Sequence, residues 1–145
     1  MPTGTRGKSQ RVALLDTSAA IALVVADHDA HDATREAVRG RRLGLAGHAW
    51  FETYSVLTRL PGLLRRSPAE AIRLLAHDFP ASVFLAEDAS VRLGTEMARL
   101  GISGGAVYDA LVGAAARHHR LPLVSADSRA RPTYAALDVE LDVIE

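Results

Sequence analysis

Cysteine is absent from this chain, so neither a disulfide framework nor a thiolate metal site is open to it. That absence suits a reducing cytoplasm, which is where we expect the protein. Lysine is almost absent as well: Lys8 is the only one, and every other basic residue is arginine. No apolar run is long enough to span a membrane. The one nearest the amino terminus, from Val12, is broken by Asp16 and ended by "DHDAHD", which also excludes a secretory signal. No Gly-x-Gly-x-x-Gly follows that run, so the dinucleotide fingerprint is missing. Net charge is zero, with 17 basic and 17 acidic residues, and gives no global attraction to nucleic acid. There is no internal repeat and no linker-like segment.

What remains is an ordinary globular composition. The 145 residues are 48% hydrophobic and 23% charged, enough for one domain with a real core. Residues 1–10 read as a flexible leader, and 11–145 as a single domain. Charge is uneven at the ends. Arg6, Lys8 and Arg11 stand near the start, while Asp138, Glu140, Asp142 and Glu145 stand in "LDVELDVIE". Such short charged segments are ordinarily solvated faces.

Apolar runs at Val12–Leu15, "RLGLAG", "ASVFLAE", "LPLVSAD" and "VELDVI" predict strands. Between them, helices are predicted over Ser18–Val25, "DHDAHDATREAVRGR", "HAWFETYSVLTRL", "SPAEAIRLLAHDF", "ASVRLGTEMARLG", "GGAVYDALVGAAARHH" and, irregularly, "SRARPTYAALD". Ser67, Pro68 and Glu70 form a capping box with proline in the first turn. Asp88 is read as the cap of its helix, and Trp50, Phe51 and Tyr54 as core. Strands alternating with helices imply a parallel sheet covered on both faces.

Four acids lack an ordinary surface explanation. Asp16 ends the first strand, and Asp127 follows Leu121–Val124 at the end of another. Glu52 lies among Trp50, Phe51 and Tyr54, and Asp109 sits ahead of an apolar helix face. Asp16, Thr17 or Ser18 could simply cap the following helix. Alternatively Asp16 is a metal ligand or catalytic acid at the carboxyl end of a parallel strand, where open α/β sheets place their sites. If Glu52 and Asp109 face the same sheet edge, four carboxylates cluster there. Like charges at close range raise each other's pKa, and a hard cation relieves this. With no thiolate and no paired histidine, Mg²⁺ or Mn²⁺ suits the set better than zinc. The corresponding chemistry is attack of a metal-activated water on a phosphodiester.

The series "LLDTSA", the acid in "HAWFETYSVLTRLPG", "ISGGAVYDALVGAAA" and "LPLVSAD" resembles the PIN-domain family, and within it the VapC-type toxin ribonucleases. The resemblance covers all but the leader. It implies a three-layer α/β/α sandwich around a mainly parallel sheet. It also implies a Mg²⁺-dependent endoribonuclease, with Mn²⁺ as a substitute, that cuts structured RNA such as tRNA or rRNA. A homodimer and a cognate antitoxin follow from the same resemblance. It assigns Asp16, Glu52, Asp109 and Asp127 as the catalytic, metal-binding quartet, with Ser18 and Ser125 as supporting hydroxyls. Many relatives carry threonine where this chain has Ser125.

Other residues have two readings each. His28, His31 and Asp32 could hold a transition metal or merely open a solvated helix. His48, one turn before Glu52, could support the metal, touch RNA or be a satisfied helix-start histidine. Arg117, Arg120, Arg129 and Arg131 are candidates to border an RNA path. "GISGG" could offer N–H groups to a phosphate or serve as a helix stop. A receiver domain would need a lysine near the acids, and a haloacid-dehalogenase-type phosphatase an aspartate where Ser18 stands. The alternative from another class is a non-catalytic PIN scaffold that binds RNA or protein. Such a scaffold would normally have lost acids.

Overall fold

The computed structural model describes residues 11–145, so the expected leader over 1–10 lies outside the described residues. Four strands appear: β1 (Val12–Leu15), β2 (Arg42–Leu45), β3 (Leu123–Ser125) and β4 (Leu141–Val143). Seven α-helices accompany them among the described residues. They are α1 (Thr17–Val24), α2 (His31–Ala37), α3 (His48–Leu57), α4 (Pro68–Asp78), α5 (Glu87–Leu100), α6 (Ala106–His118) and α7 (Arg131–Ala136). None is long and apolar enough to cross a membrane.

The strands lie in the order β2-β1-β3-β4, and every pairing is parallel. The alternation of side chains along a strand separates two cores. Ala13, Leu15, Leu45 and Val124 face one side, against α1 and the buried Ala71, Leu75 and Phe79 of the α4 region. Leu14 and Leu123 face the other, with Ala49 of α3, Val112, Ala115 and Ala116 of α6, and Tyr134 of α7. Helices on both faces of a parallel sheet make the expected three-layer α/β/α sandwich. The chain runs from β1 outward to β2 and later returns to the other side of β1 as β3. The crevice at the carboxyl ends of β1 and β3 is therefore a topological switch point, where such sheets bind ligands.

The capping box forms as expected. The Ser67 N–H donates to Glu70 Oε1 at 2.7 Å, and the Glu70 N–H to Ser67 Oγ at 3.2 Å. Three expectations fail. "ASVFLAE" is not a strand: only Val83 forms a bridge, to Ala46. The segment borders β2 closely, since a Cβ on Gly44 would lie 2.2 Å from the Ala81 carbonyl oxygen. It then turns away, and the Phe84 carbonyl bonds to the His119 ring at 2.8 Å. Asp88 is not the cap of α5. The cap position falls on Ala86, and Asp88 sits in the first turn, bonded to Arg92 at 3.2 Å. Phe51 is not core, being 57% exposed. Neighbouring residues on a helix point about 100° apart, so Trp50 and Tyr54 pack inward while Phe51 turns out onto Phe84.

Candidate active site

The tight passage from β1 into α1 builds the first element of the site. Asp16 takes the N-cap position, and its Oδ1 accepts the Ala19 N–H at 3.0 Å and the Ser18 hydroxyl at 2.5 Å. Ser18 Oγ in turn accepts the Ala126 N–H at 2.9 Å, tying the end of β3 to the start of α1. The other carboxylate oxygen, Oδ2, accepts the hydroxyl of Tyr134 at 2.9 Å. Asp16 is 4% exposed and Tyr134 1% exposed. Burial pushes the Asp16 pKa up; hydrogen bonds involving Ser125, Ser18, the Ala19 N–H and Tyr134 pull it back. Burial, and then the adjacent Asp16, raise the Tyr134 pKa far above the tyrosine range, so its hydroxyl stays a donor.

The cap reading of Asp16 is therefore correct, and it uses Oδ1. Its other oxygen, Oδ2, is held by Tyr134.

Asp127 follows β3 in a local turn. Its Oδ1 accepts the Arg129 N–H at 2.9 Å, and its own N–H donates to Ser125 Oγ at 3.1 Å. Ser18 and Ser125 thus both act as supports beneath the acids. Glu52, on α3, is half-buried between two partners. His48 Nε2 lies 3.3 Å from Oε1, and Thr17 Oγ1 lies 3.5 Å from Oε2. The His48 ring also stacks on Tyr108 of α6, with centroids 5.1 Å apart.

Asp109, in the first turn of α6, is the acid least held by its surroundings. Its pKa is pushed up to about 6, first by burial and then by the charges of Asp127, Glu52 and Asp16, against a small opposing effect of Arg129. The other three expected acids are thus all in electrostatic reach of Asp109 at the switch point. They are not drawn to a point, however. Among the described residues, no three His, Asp or Glu side chains already converge as an ion's ligands. The donor chemistry fits a hard divalent cation, being all oxygen and rich in mutual repulsion. The array is open, so ligation would require side chains to close in.

One consequence is measurable without substrate. The folded Asp109 pKa of about 6 lies above the ordinary 3.8. Its ionisation therefore opposes folding, and stability falls as pH rises from the unfolded range through the folded value. In EDTA, Asp109→Asn is expected to melt higher than wild type above about pH 6, the two converging in acid. The gain is on the order of 1 kcal/mol after discount for solvent screening at this partly exposed group. Mg²⁺ should narrow or invert the order, because the wild type gains more from linkage. Melts of both proteins across pH, with EDTA and with Mg²⁺, test this. A variant that melts lower in EDTA removes the clustering argument.

The four arginines divide. Arg117 is turned away, its guanidinium forked onto Glu96 at 2.7 and 2.9 Å and onto the Leu137 carbonyl at 3.0 Å. It is a structural pair and drops out as a candidate. Arg131 lies 3.9 Å from Glu145. Arg129 stays beside the acids, 3.6 Å from Asp127 and 92% exposed. Arg120 is exposed at the end of α6. His28 and His31 do not form a metal pair. His28 Nδ1 accepts the Ala30 N–H, while His31 Nδ1 meets the Ala22 carbonyl at the end of α1. Within "GISGG", Gly101 closes α5 in the left-handed conformation, the helix-stop reading. Tyr134 is the residue beside Asp16 that the sequence reading missed, and Thr17, read there as a possible cap, instead meets Glu52. A tyrosine in an apolar segment needs a partner for its hydroxyl, but nothing local names it.

A family model described as PIN domain matches residues 13–135. Ribonuclease VapC27 of Mycobacterium tuberculosis is 46% identical over 129 residues, covering 89% of this chain and 94% of that protein. Ribonuclease VapC40 of the same species is 40% identical over 131 residues, covering 89% and 96%. Among solved structures, VapBC2 from Rickettsia felis bound to a DNA fragment from its promoter aligns with a TM-score of 0.65. The identity is 12%, and the match covers 92% of this chain and 99% of that one. FitAB bound to the IR36 DNA fragment aligns at 0.61 with 15% identity, covering 90% and 94%. At such low identity the structural matches speak for the fold alone.

Proposed function

Because the chain belongs to the PIN domain family, we propose that it is a Mg²⁺-dependent endoribonuclease, the toxin of a toxin–antitoxin pair, acting on structured RNA such as tRNA or rRNA. The names of its ribonuclease relatives support the activity and the toxin role. The single observation behind metal dependence is Asp109, whose pKa is raised by burial first and then by the charges of three neighbouring carboxylates, Asp127, Glu52 and Asp16. Asp16, Glu52, Asp109 and Asp127 would hold the cation. Once bound, it would supply a water acidified for attack on the phosphodiester and offset the charge that develops on the phosphate.

The chain's own groups do the rest. The N-cap bonds and Tyr134 fix the Asp16 carboxylate in one orientation before any ligand arrives. Thr17 and His48 hold Glu52 from either side. The Asp127 turn engages one carboxylate oxygen, Oδ1, with the Arg129 N–H. Asp109, without such restraints, is the side chain able to move inward. Arg129 is placed to meet a phosphate beside the acids.

Purified protein should cut structured RNA with Mg²⁺ or Mn²⁺ and lose this in EDTA. RNA bound but left intact under every divalent cation would favour the non-catalytic scaffold instead. The antitoxin we propose presents an apolar helix face and a basic side chain to Asp16 and Glu52. A homodimer belongs to the same reading: Phe51 and Phe84, 57% and 48% exposed, touch to form an apolar patch suited to a second copy.

A further inference from the structure

We propose that the stacked pair His48–Tyr108 is a nucleobase platform beside the four carboxylates, a subsite that holds one unpaired RNA base next to the bond to be cut. This rests on the ribonuclease reading above.

The pair is well made for that task. The two rings lie 5.1 Å apart at 25°, one layer already in place. Tyr108 is 53% exposed, so its ring has surface left for a further layer. His48 beneath it is held by Glu52 at 3.3 Å. A ring ordered in advance loses little rotamer freedom when a base arrives. Location matches as well. Tyr108 directly precedes Asp109, and His48 is one helical turn from Glu52, so the platform borders two of the four acids.

Electrostatics favours such a subsite. RNA binding ordinarily draws on many basic contacts to phosphate. This chain has no net charge. Arg117 is committed to Glu96, and Arg131 lies toward Glu145. Arg129 near the acids already faces Asp127. With Arg129 as the guanidinium beside four carboxylates, a phosphate chain gains from an attraction besides charge. Stacking on an aromatic ring supplies one, and tolerates any base. An aromatic or arginine side chain of a protein partner could occupy the same ring, and the experiment separates the two.

The probe is a short single-stranded RNA of mixed sequence carrying one fluorescent adenine analogue, titrated with full-length protein in low salt. Stacking quenches the analogue. Wild type is expected to quench it. Tyr108→Ala should bind about tenfold more weakly with little quenching, the scale of one lost stacking contact. Tyr108→Trp should retain both. Thermal melts should be unchanged for Tyr108→Trp and at most slightly lowered for Tyr108→Ala, which loses the stack on His48. Cleavage of total tRNA with Mg²⁺ is followed in parallel, and Tyr108→Ala should lose rate mainly through KM. Wild type that cuts RNA but leaves the analogue unquenched overturns the platform alone. Tyr108→Ala that quenches like wild type does the same, as does a variant that loses only its grip on the antitoxin. Wild type that neither binds nor cuts any RNA overturns the ribonuclease reading beneath it.

Discussion

Asp109→Asn is expected to lower RNA cleavage about a thousandfold while leaving a folded, and in EDTA more stable, protein. The scale is that of losing the electrostatic stabilisation that a well-held cation would give the developing charge. The substitution keeps volume and removes only charge. Burial, and then the charges of Asp127, Glu52 and Asp16, oppose the ionisation of Asp109 and push its pKa up to about 6. Asp109 is therefore the one whose charge a cation would use most directly. A ligand carboxylate must give up its proton before it binds. Cleavage at limiting Mg²⁺ should accordingly rise as pH climbs through about 6. Single-turnover rates for both proteins, across pH and Mg²⁺ concentration, test this. Unchanged cleavage by the variant at low Mg²⁺ sinks the assignment.

Tyr134→Phe is the second large effect. The aromatic ring stays, and with it the packing against Gly113, where a Cβ would lie 3.0 Å from the tyrosine ring. Only the hydroxyl bond to Asp16 Oδ2 is removed. Bonds to groups behind a metal ligand are commonly worth ten- to a hundredfold in metal affinity. Mn²⁺ binding, read by titration calorimetry without RNA, should weaken at least about tenfold. A buried hydrogen bond to a charged group also contributes about 1.5–3 kcal/mol to stability. That bond favours ionised Asp16, so its loss raises an already raised pKa. The stability difference should thus widen as pH rises and shrink where Asp16 is protonated. Wild-type Mn²⁺ affinity in the variant would reduce Tyr134 to a packing residue.

These two residues also mark what the sequence makes legible. Asp16 and Asp109 stand out because a carboxylate interrupts an apolar pattern, and such breaks are local. The strands β1 and β3 and the capping box at Ser67 are likewise local. Tyr134 is invisible by that route, since its hydroxyl meets a partner 118 residues away. Arg117 was misread for the same reason. Its basic neighbours are close in sequence, but Glu96, which claims it, is 21 residues distant. The "ASVFLAE" segment has the apolar content of a strand. What stops it is where its bonds go: Ala81 and Val83 bond to β2, while Phe84 does not. Trp50, Phe51 and Tyr54 share helical spacing only in part, and one of three had to face out.

The N-cap at Asp16 has a consequence for how such a gene can fail. Suppose cells are forced to survive expression of the toxin without its antitoxin, and inactivating mutations are collected. At Asp109 a single change removes charge from a side chain whose raised pKa owes nothing to hydrogen bonds. The product is expected to be folded but inert, and to go on titrating antitoxin. At Asp16 a change to a residue without a side-chain acceptor, such as alanine, disturbs the start of α1, the Ser18 bridge to β3 and the seat of Tyr134 together. Losing the cap alone costs about 1 kcal/mol. Survivors at that position would tend to be null by degradation. The two acids thus define different fates for a decaying allele. One leaves a decoy that keeps its partner occupied. The other leaves nothing, so the antitoxin stays available to regulate whatever else it binds.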